Sequence, residues 1–305
     1  MLSYPLKVQI MPRLLSNGIN IAYEDFGKLG DPVLLLIHGL SIPCTGWPPT
    51  LIDALVAEGY RVITPDNRDI GQSDVLDNLG KPNLLTQIVR RAMHLRIKAP
   101  YQLNDMAKDM FGLMDAMDID KLHLVGVSMG GMISQIMAIE SPQRILSLTS
   151  IMSTTNERGL PGPTKAIRDM VIKGPADRTD EGIASFFWHL WCGLRSPGYA
   201  IPDDELRGFL RRIFERGMTA GGIARQQTAI IAAPDRVKEL GSLQIPVQVI
   251  HGDLDPLIPL ACGIETANAV PGAIMHTIKG MGHDLPNALT PKFTRLIASL
   301  ARTAD

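Results

Sequence analysis

Ser128 stands in Gly126-Val127-Ser128-Met129-Gly130, and the spacing G-x-S-x-G suits a serine carried on a sharp strand-to-helix turn. Glycines on either side permit a turn tight enough to leave the hydroxyl at a sheet edge. A helix beginning at Met129 would add free N–H groups beside it. A serine hydroxyl is a weak nucleophile at neutral pH; it needs a histidine as base, and the histidine needs a carboxylate to fix its tautomer. Asp255 in "HGDLDPLIP" and His283 in "IKGMGHDLP" follow Ser128 in that order, each in a loop after an apolar run. The three together predict acyl transfer. Ser128 attacks a carbonyl, His283 takes and returns the proton, and Asp255 orients His283.

Attack on a carbonyl places negative charge on its oxygen, and losing one backbone donor to that oxygen costs about 3 kcal/mol of transition-state stabilisation. Met129, next after the nucleophile, is one predicted donor. The loop after "LLLIHG" should supply the other, with Leu40 preferred and Ser41 in reserve.

Other readings of the same residues fit less well. A dinucleotide loop needs G-x-G-x-x-G near the first strand, with an acid about twenty positions on; here Ser128 replaces the middle glycine, and the motif lies well into the chain. His251, Asp253, Asp255 and His283 could be imagined as a metal site, but their spacing matches no standard zinc pattern. Asp253 reads as a turn residue, Asp284 as an anchor for the histidine loop and His251 as structural. His38, His94, His123, His189 and His276 lack comparable partners.

Positioning these groups requires strands that stop where the chemistry begins. "PVLLLIHG", "YRVITPDNR", "HLVGVS" and "PVQVIHGDLD" are short apolar runs rich in Val, Ile and Leu, which read as strands buried on both faces. Helical stretches such as "LIDALVAEG" and "LNDMAKDMFGLMDAM" lie between them. In the second, Met106, Met110, Leu113 and Met117 form an apolar stripe that reads as core packing. Strands alternating with helices predict a mostly parallel sheet, whose ligands bind beyond the strands' carboxyl ends. Each of the four runs ends in candidate chemistry, at His38-Gly39, Asp66 to Ser73, Ser128 and Asp255.

After "RILSLTSIMST" the text turns helical from Thr155 to Pro234, with no strand-like run until Gln244, which predicts an insertion at 155–234 between core segments 1–154 and 235–305. Its "IASFFWHLWCGL" offers Phe187, Trp188 and Trp191 either as a pocket roof or as the insertion's own core. The basic stretch "LLTQIVRRAMHLRIKAP", Leu84 to Pro100, reads as a solvated charged face, with a lid segment or a homodimer contact as alternatives.

The 305 residues carry a formal net charge of -1 and are 45% hydrophobic, enough for a substantial core. That balance gives no general electrostatic case for nucleic acid or an anionic membrane. Cys44, Cys192 and Cys262 suggest neither a disulfide framework nor zinc. The start, "MLSYPLKVQIMPRLL", lacks a signal-peptide h-region, and "PVLLLIHGL" is too short to span a bilayer. The expectation is a soluble cytoplasmic protein acting on a neutral small molecule.

"IHGLSIPCTGW", "PDNRDIGQSD", "HLVGVSMGGMISQ", "HGDLDPLIP" and "GMGHDLP" together resemble the α/β-hydrolase superfamily. Within it the chain most resembles single-chain esterases of the aclacinomycin methylesterase type, through the "DxRDxGxS" and "GMGHDLP" spellings. The resemblance spans nearly the whole chain and is weakest in Leu84–Pro100 and the insertion. It implies an α/β-hydrolase fold with a mostly parallel central sheet flanked by helices, a helical cap, and a serine carboxylesterase without cofactor acting on small to medium neutral esters. A lactonase, a cofactor-free perhydrolase or haloperoxidase, and a ligand-binding sensor of low turnover remain alternatives with the same triad. Epoxide and haloalkane hydrolysis fit poorly, because those relatives carry aspartate at the position of Ser128. Where the wider superfamily often has glycine, Asp69 stands here, and Arg68 and Asp69 are expected to pair behind the nucleophile loop.

Overall fold

Each predicted apolar run is a strand, and all of them lie in one sheet. The computed structural model describes residues 12–177 and 179–304. The reading of the chain start as lacking a signal peptide rests mainly on residues outside that range. The strands are β1 (Arg13–Ser16), β2 (Ile19–Phe26), β3 (Val33–Ile37), β4 (Arg61–Pro65), β5 (Leu122–Val127), β6 (Ile145–Ile151), β7 (Val247–Gly252) and β8 (Ile274–Ile278). They run in the order β1-β2-β4-β3-β5-β6-β7-β8, parallel from β4 onward, with β1 and β2 added antiparallel at one edge.

Alternate residues of the central strands serve opposite cores, as the two-residue period of a strand requires. Leu35 and Ile37 join the methionine stripe of α3 (Leu103–Ala116) and the core face of α4 (Met129–Glu140). Leu34 and Leu36 pack with α1 (Pro49–Ala57) and the C-terminal helix, α11 below. Met106, Met110 and Leu113 are fully buried, and Met117 half-buried at the helix end.

α2 (Leu84–Ala92) lies between β4 and α3. Between β6 and β7 the chain forms α5 (Lys165–Lys173), α6 (Asp180–Leu194), α7 (Asp203–Arg216) and α8 (Ala220–Ala232); α9 (Val237–Leu240), α10 (Leu260–Ala269) and α11 (Thr290–Ala301) complete the chain. The helical insert is latched to the loop after β4 by buried ion pairs. Arg216 of α7 reaches Asp66 at 2.9 Å and Glu24 at 3.3 Å. Arg225 of α8 grips both oxygens of Asp69, at 2.7 and 2.8 Å.

Two expectations are corrected here. Arg68 and Asp69 do not pair with each other. Asp69 takes a φ of +70°, and this turn sends the neighbouring side chains apart: Arg68 binds Asp109 of α3 at 2.6 Å, while Asp69 binds Arg225 and accepts from the Tyr101 hydroxyl at 2.7 Å. Nor is Leu84–Pro100 a solvated charged face throughout. Arg96 and Lys98 are exposed, but Gln87 is buried, Arg91 donates to the Ile231 carbonyl at the end of α8, and Arg90 donates to the Arg96 carbonyl, while Leu85, Ile88, Val89 and Met93 are exposed.

All three cysteines are free thiols, and among the described residues no helix is long and apolar enough to cross a membrane.

Candidate active site

Ser128 occupies the junction between β5 and α4 with φ +56° and ψ -119°, a left-handed conformation that a side-chain-bearing residue holds only under constraint. The constraint is local. Its N–H donates to the Ile151 carbonyl at 3.0 Å, and its own carbonyl accepts from Ser153 Oγ at 2.7 Å. The flanking glycines are sterically required: a Cβ on Gly126 would sit 2.4 Å from the Gly130 carbonyl oxygen, and one on Gly130 only 2.0 Å from that of Ile37.

His283 Nε2 lies 3.2 Å from Ser128 Oγ, and its Nδ1 lies 2.7 Å from Asp255 Oδ2. The three side chains predicted from sequence are thus brought into one hydrogen-bonded chain. Asp255 Oδ1 accepts from the N–H groups of Leu257 and Ile258, at 2.9 and 2.8 Å, which fixes the carboxylate just beyond β7. Burial alone would raise its pKa. The charge of His283 and hydrogen bonds from His251 and His283 overcome that and hold it far below the usual carboxylate range. The histidine loop is tied to the insert. The His283 N–H donates to the Leu194 carbonyl at 2.8 Å, and the Gly282 N–H to Ser196 Oγ at 2.8 Å, while Ser196 Oγ in turn bonds Asp284. Asp284 is the loop anchor, as expected.

Asp253 and His251 have structural partners. Asp253 Oδ1 accepts from the Gly280 N–H at 2.6 Å. His251 is fully buried, with Nε2 2.8 Å from the Ile258 carbonyl and 3.5 Å from Asp255 Oδ2. Among the described residues no three metal-ligating side chains are placed to hold an ion.

The loop after β3 runs against Ser128, since a Cβ on Gly39 would lie 3.5 Å from its Oγ. Among the described residues, the N–H groups of Leu40 and Met129 have no hydrogen-bond acceptor. The Ser41 N–H is committed to Gln226 Oε1 at 2.9 Å, which removes the reserve donor. Gln226 is fully buried in α8, and its Nε2 donates to the Arg68 carbonyl at 2.7 Å. Beneath the loop His38 is buried: its Nδ1 accepts from the Gly39 N–H at 2.7 Å, and its carbonyl accepts from Asn67 Nδ2 at 3.0 Å. Burial, with the nearby imidazole of His283, pushes the His38 pKa down to about 3.

Ser128 and His283 border a cavity of about 680 Å³ between the strand ends and the insert. Its aromatic wall is Phe186, Phe187, Trp191 and Phe209. Trp188, expected with them, does not line it. Leu190 and Leu194 continue the lining stripe of Phe187 and Trp191 at three- and four-residue steps, and Trp188 falls off that stripe to stack under the Arg207 guanidinium at 4.2 Å. That spacing was available in the sequence. Gln226 and Ser196 were not singled out there, and a lone glutamine in a helical stretch carries no signal of its partner.

The family model described as alpha/beta hydrolase fold matches residues 32–286. Among characterised proteins, the chain is 28% identical to rhodomycin D methylesterase DnrP of Streptomyces peucetius, over 96% of this chain and 98% of that one. It is 25% identical to a 2-hydroxy-6-oxononadienedioate/2-hydroxy-6-oxononatrienedioate hydrolase of Cupriavidus pinatubonensis, over 83% and 81%. Among solved structures, the enol-lactonase of Burkholderia xenovorans LB400 superposes with a TM-score of 0.75 at 22% identity, covering 95% of this chain and all of that one.

Proposed function

The chain belongs to the α/β-hydrolase family and is a carboxylesterase-type hydrolase, and from that premise we propose that it cleaves neutral carboxylic esters through an acyl-enzyme on Ser128. The observation that carries this reading is the unbroken chain from Asp255 through His283 to Ser128 Oγ, opening into an apolar cavity. His283 Nε2 takes the hydroxyl proton as Ser128 attacks the ester carbonyl, and Asp255 stabilises the resulting imidazolium. The free N–H groups of Leu40 and Met129 receive the oxyanion. His283 then protonates the departing alcohol, and the same steps with water release the acid.

In this reading the described residues of 155–234 are a cap over the core formed by the described residues of 1–154 and 235–305, and Phe187 and Trp191 hold the apolar part of the substrate. A cavity of about 680 Å³ has room for a bulky acyl group, within the range of drug-sized ligand sites. The likeness to a methylesterase supports a small leaving alcohol. Labelling with a fluorophosphonate, mapped by peptide mass spectrometry, should modify Ser128 alone. A series of methyl esters of growing acyl size should show rising kcat/KM up to the volume of the cavity. Full hydrolysis by Ser128→Ala would overturn the assignment.

A further inference from the structure

Fourteen large hydrophobic side chains are exposed among the described residues, and nine of them fall in Val75–Leu95 and Val171–Ile172. Such crowding marks a contact surface rather than the scattered exposure normal for a protein surface. Leu84 of α2 and Val171 of α5 both line the cavity, so both segments border it where their neighbours Leu85 and Ile172 are exposed. α2 has the polarity of a surface helix reversed. Two of its polar side chains turn inward: Gln87 accepts from the Lys98 N–H at 3.1 Å, and Arg91 caps α8 and reaches Asn156 at 3.1 Å. Leu85 is 63% exposed and Met93 63%, with Ile88 and Val89 between them.

The charge around this face is one-sided. From Asn78 to Asn104 there is no acidic residue, while Lys81, Arg90, Arg91, Arg96 and Lys98 stand in that interval, in a chain whose total charge is -1. On α5 the single acid, Asp169, is paired with Lys165, leaving Arg168 and Lys173. An apolar face edged mostly by cations, with its exposed acid Asp77 paired to Arg225, complements a surface that is apolar below and anionic above. We propose that α2 and the Val171–Ile172 edge dock on an anionic lipid bilayer, with the cavity mouth against the membrane. Leu85, Val89 and Met93 enter the headgroup boundary, Arg96 and Lys98 meet lipid phosphates, and an apolar ester passes from the bilayer toward Ser128.

Vesicle co-sedimentation of the full chain tests this without turnover, so its outcome is separate from that of the ester reading; Ser128→Ala should bind like the unaltered protein. Vesicles of phosphatidylcholine with phosphatidylglycerol should capture the protein, and pure phosphatidylcholine should not. Arg96→Gln with Lys98→Gln should weaken capture by about fivefold for each charge removed, and added salt should do the same. Leu85→Asp with Val89→Asp should abolish capture while leaving far-UV circular dichroism and hydrolysis of a short soluble ester unchanged. Equal capture by both vesicle types, capture by neither, or insensitivity to these substitutions would overturn the proposal. So would a dimer in sedimentation velocity that the Leu85/Val89 variant dissolves, since the face would then belong to a second copy.

Discussion

The strand ends and the insert border one cavity, but they hold their side chains in place by different means. Ser128 and Asp255 are fixed by backbone within a few residues: a left-handed turn between glycines for one, two consecutive N–H donors for the other. The insert is fixed by side chains reaching across the chain, with Arg216 to Asp66, Arg225 to Asp69, and Gln226 to the loop beside Ser128. Ser128 and Asp255 therefore sit on locally determined backbone, whereas His283 leans on the insert through Leu194 and Ser196, and the cavity wall depends on a few buried polar latches. Chemistry and stability should respond to mutation separately.

The sharpest separation is Ser128→Ala. It removes the proposed nucleophile and should lower kcat by about 10⁴-fold or more, while the denaturation midpoint changes little, because alanine keeps the Cβ and the same positive φ. Esterase kinetics beside urea melts check both halves. A large fall in stability would mean that the elbow serine also holds the fold.

Asp69→Ala should do the reverse. Arg225 would be left 1% exposed and without its bidentate partner, a loss of about 3–5 kcal/mol for a broken buried pair. The double variant Asp69→Leu with Arg225→Met should recover part of that stability, because no unpaired charge remains. If single and double variants melt alike, the latch is not electrostatic.

This division also explains what the sequence discloses. Ser128, Asp255 and His283 could be read from it because each lies within a few residues of a strand end, Ser128 directly after β5 and the other two in the short loops after β7 and β8, where short-range spacing is the structure. The partners of Arg68 and Asp69 could not. Adjacent in the chain, they look like a pair, and only the φ of +70° and the arrival of α8 some 156 residues later separate them. The reversed polarity of α2 was hidden for a related reason. Four cations in one stretch read as a solvated face, but Arg91 is drawn inward by the unsatisfied carbonyl end of α8.

Gln226 lies where the two regions meet. Gln226→Leu keeps the volume but frees the Ser41 N–H, and the loop carrying the Leu40 donor then loses its tie at a residue with φ +59°. The expected outcome is a kcat lowered by about 10- to 100-fold, less than the loss of a whole oxyanion donor, with KM little changed. A substrate-like inhibitor should bind as before, and a trifluoromethyl ketone, which forms the oxyanion, should bind more weakly in proportion. A rise in KM alone would assign Gln226 to the cavity wall instead.

The smallest effect near neutral pH concerns His38, which belongs to the core yet supports the same loop. With Nδ1 accepting from the Gly39 N–H, the buried ring cannot take a proton there without losing that bond, and its pKa lies at about 3 against about 6.5 in an unfolded chain. Between those values the unfolded chain binds a proton that the folded chain does not. The contribution of His38 is therefore complete above about pH 6.5 and declines as pH falls, by up to about 1.4 kcal/mol for each pH unit. Urea midpoints of the unaltered protein should drop accordingly between neutral and mildly acidic pH. His38→Asn, whose amide oxygen can accept the same N–H, should remove about one proton's worth of that slope while leaving stability at neutral pH only modestly lower. An unchanged slope would mean that the ring is protonated in the fold, and that the loop beside Ser128 is held by Asn67 and Gln226 alone.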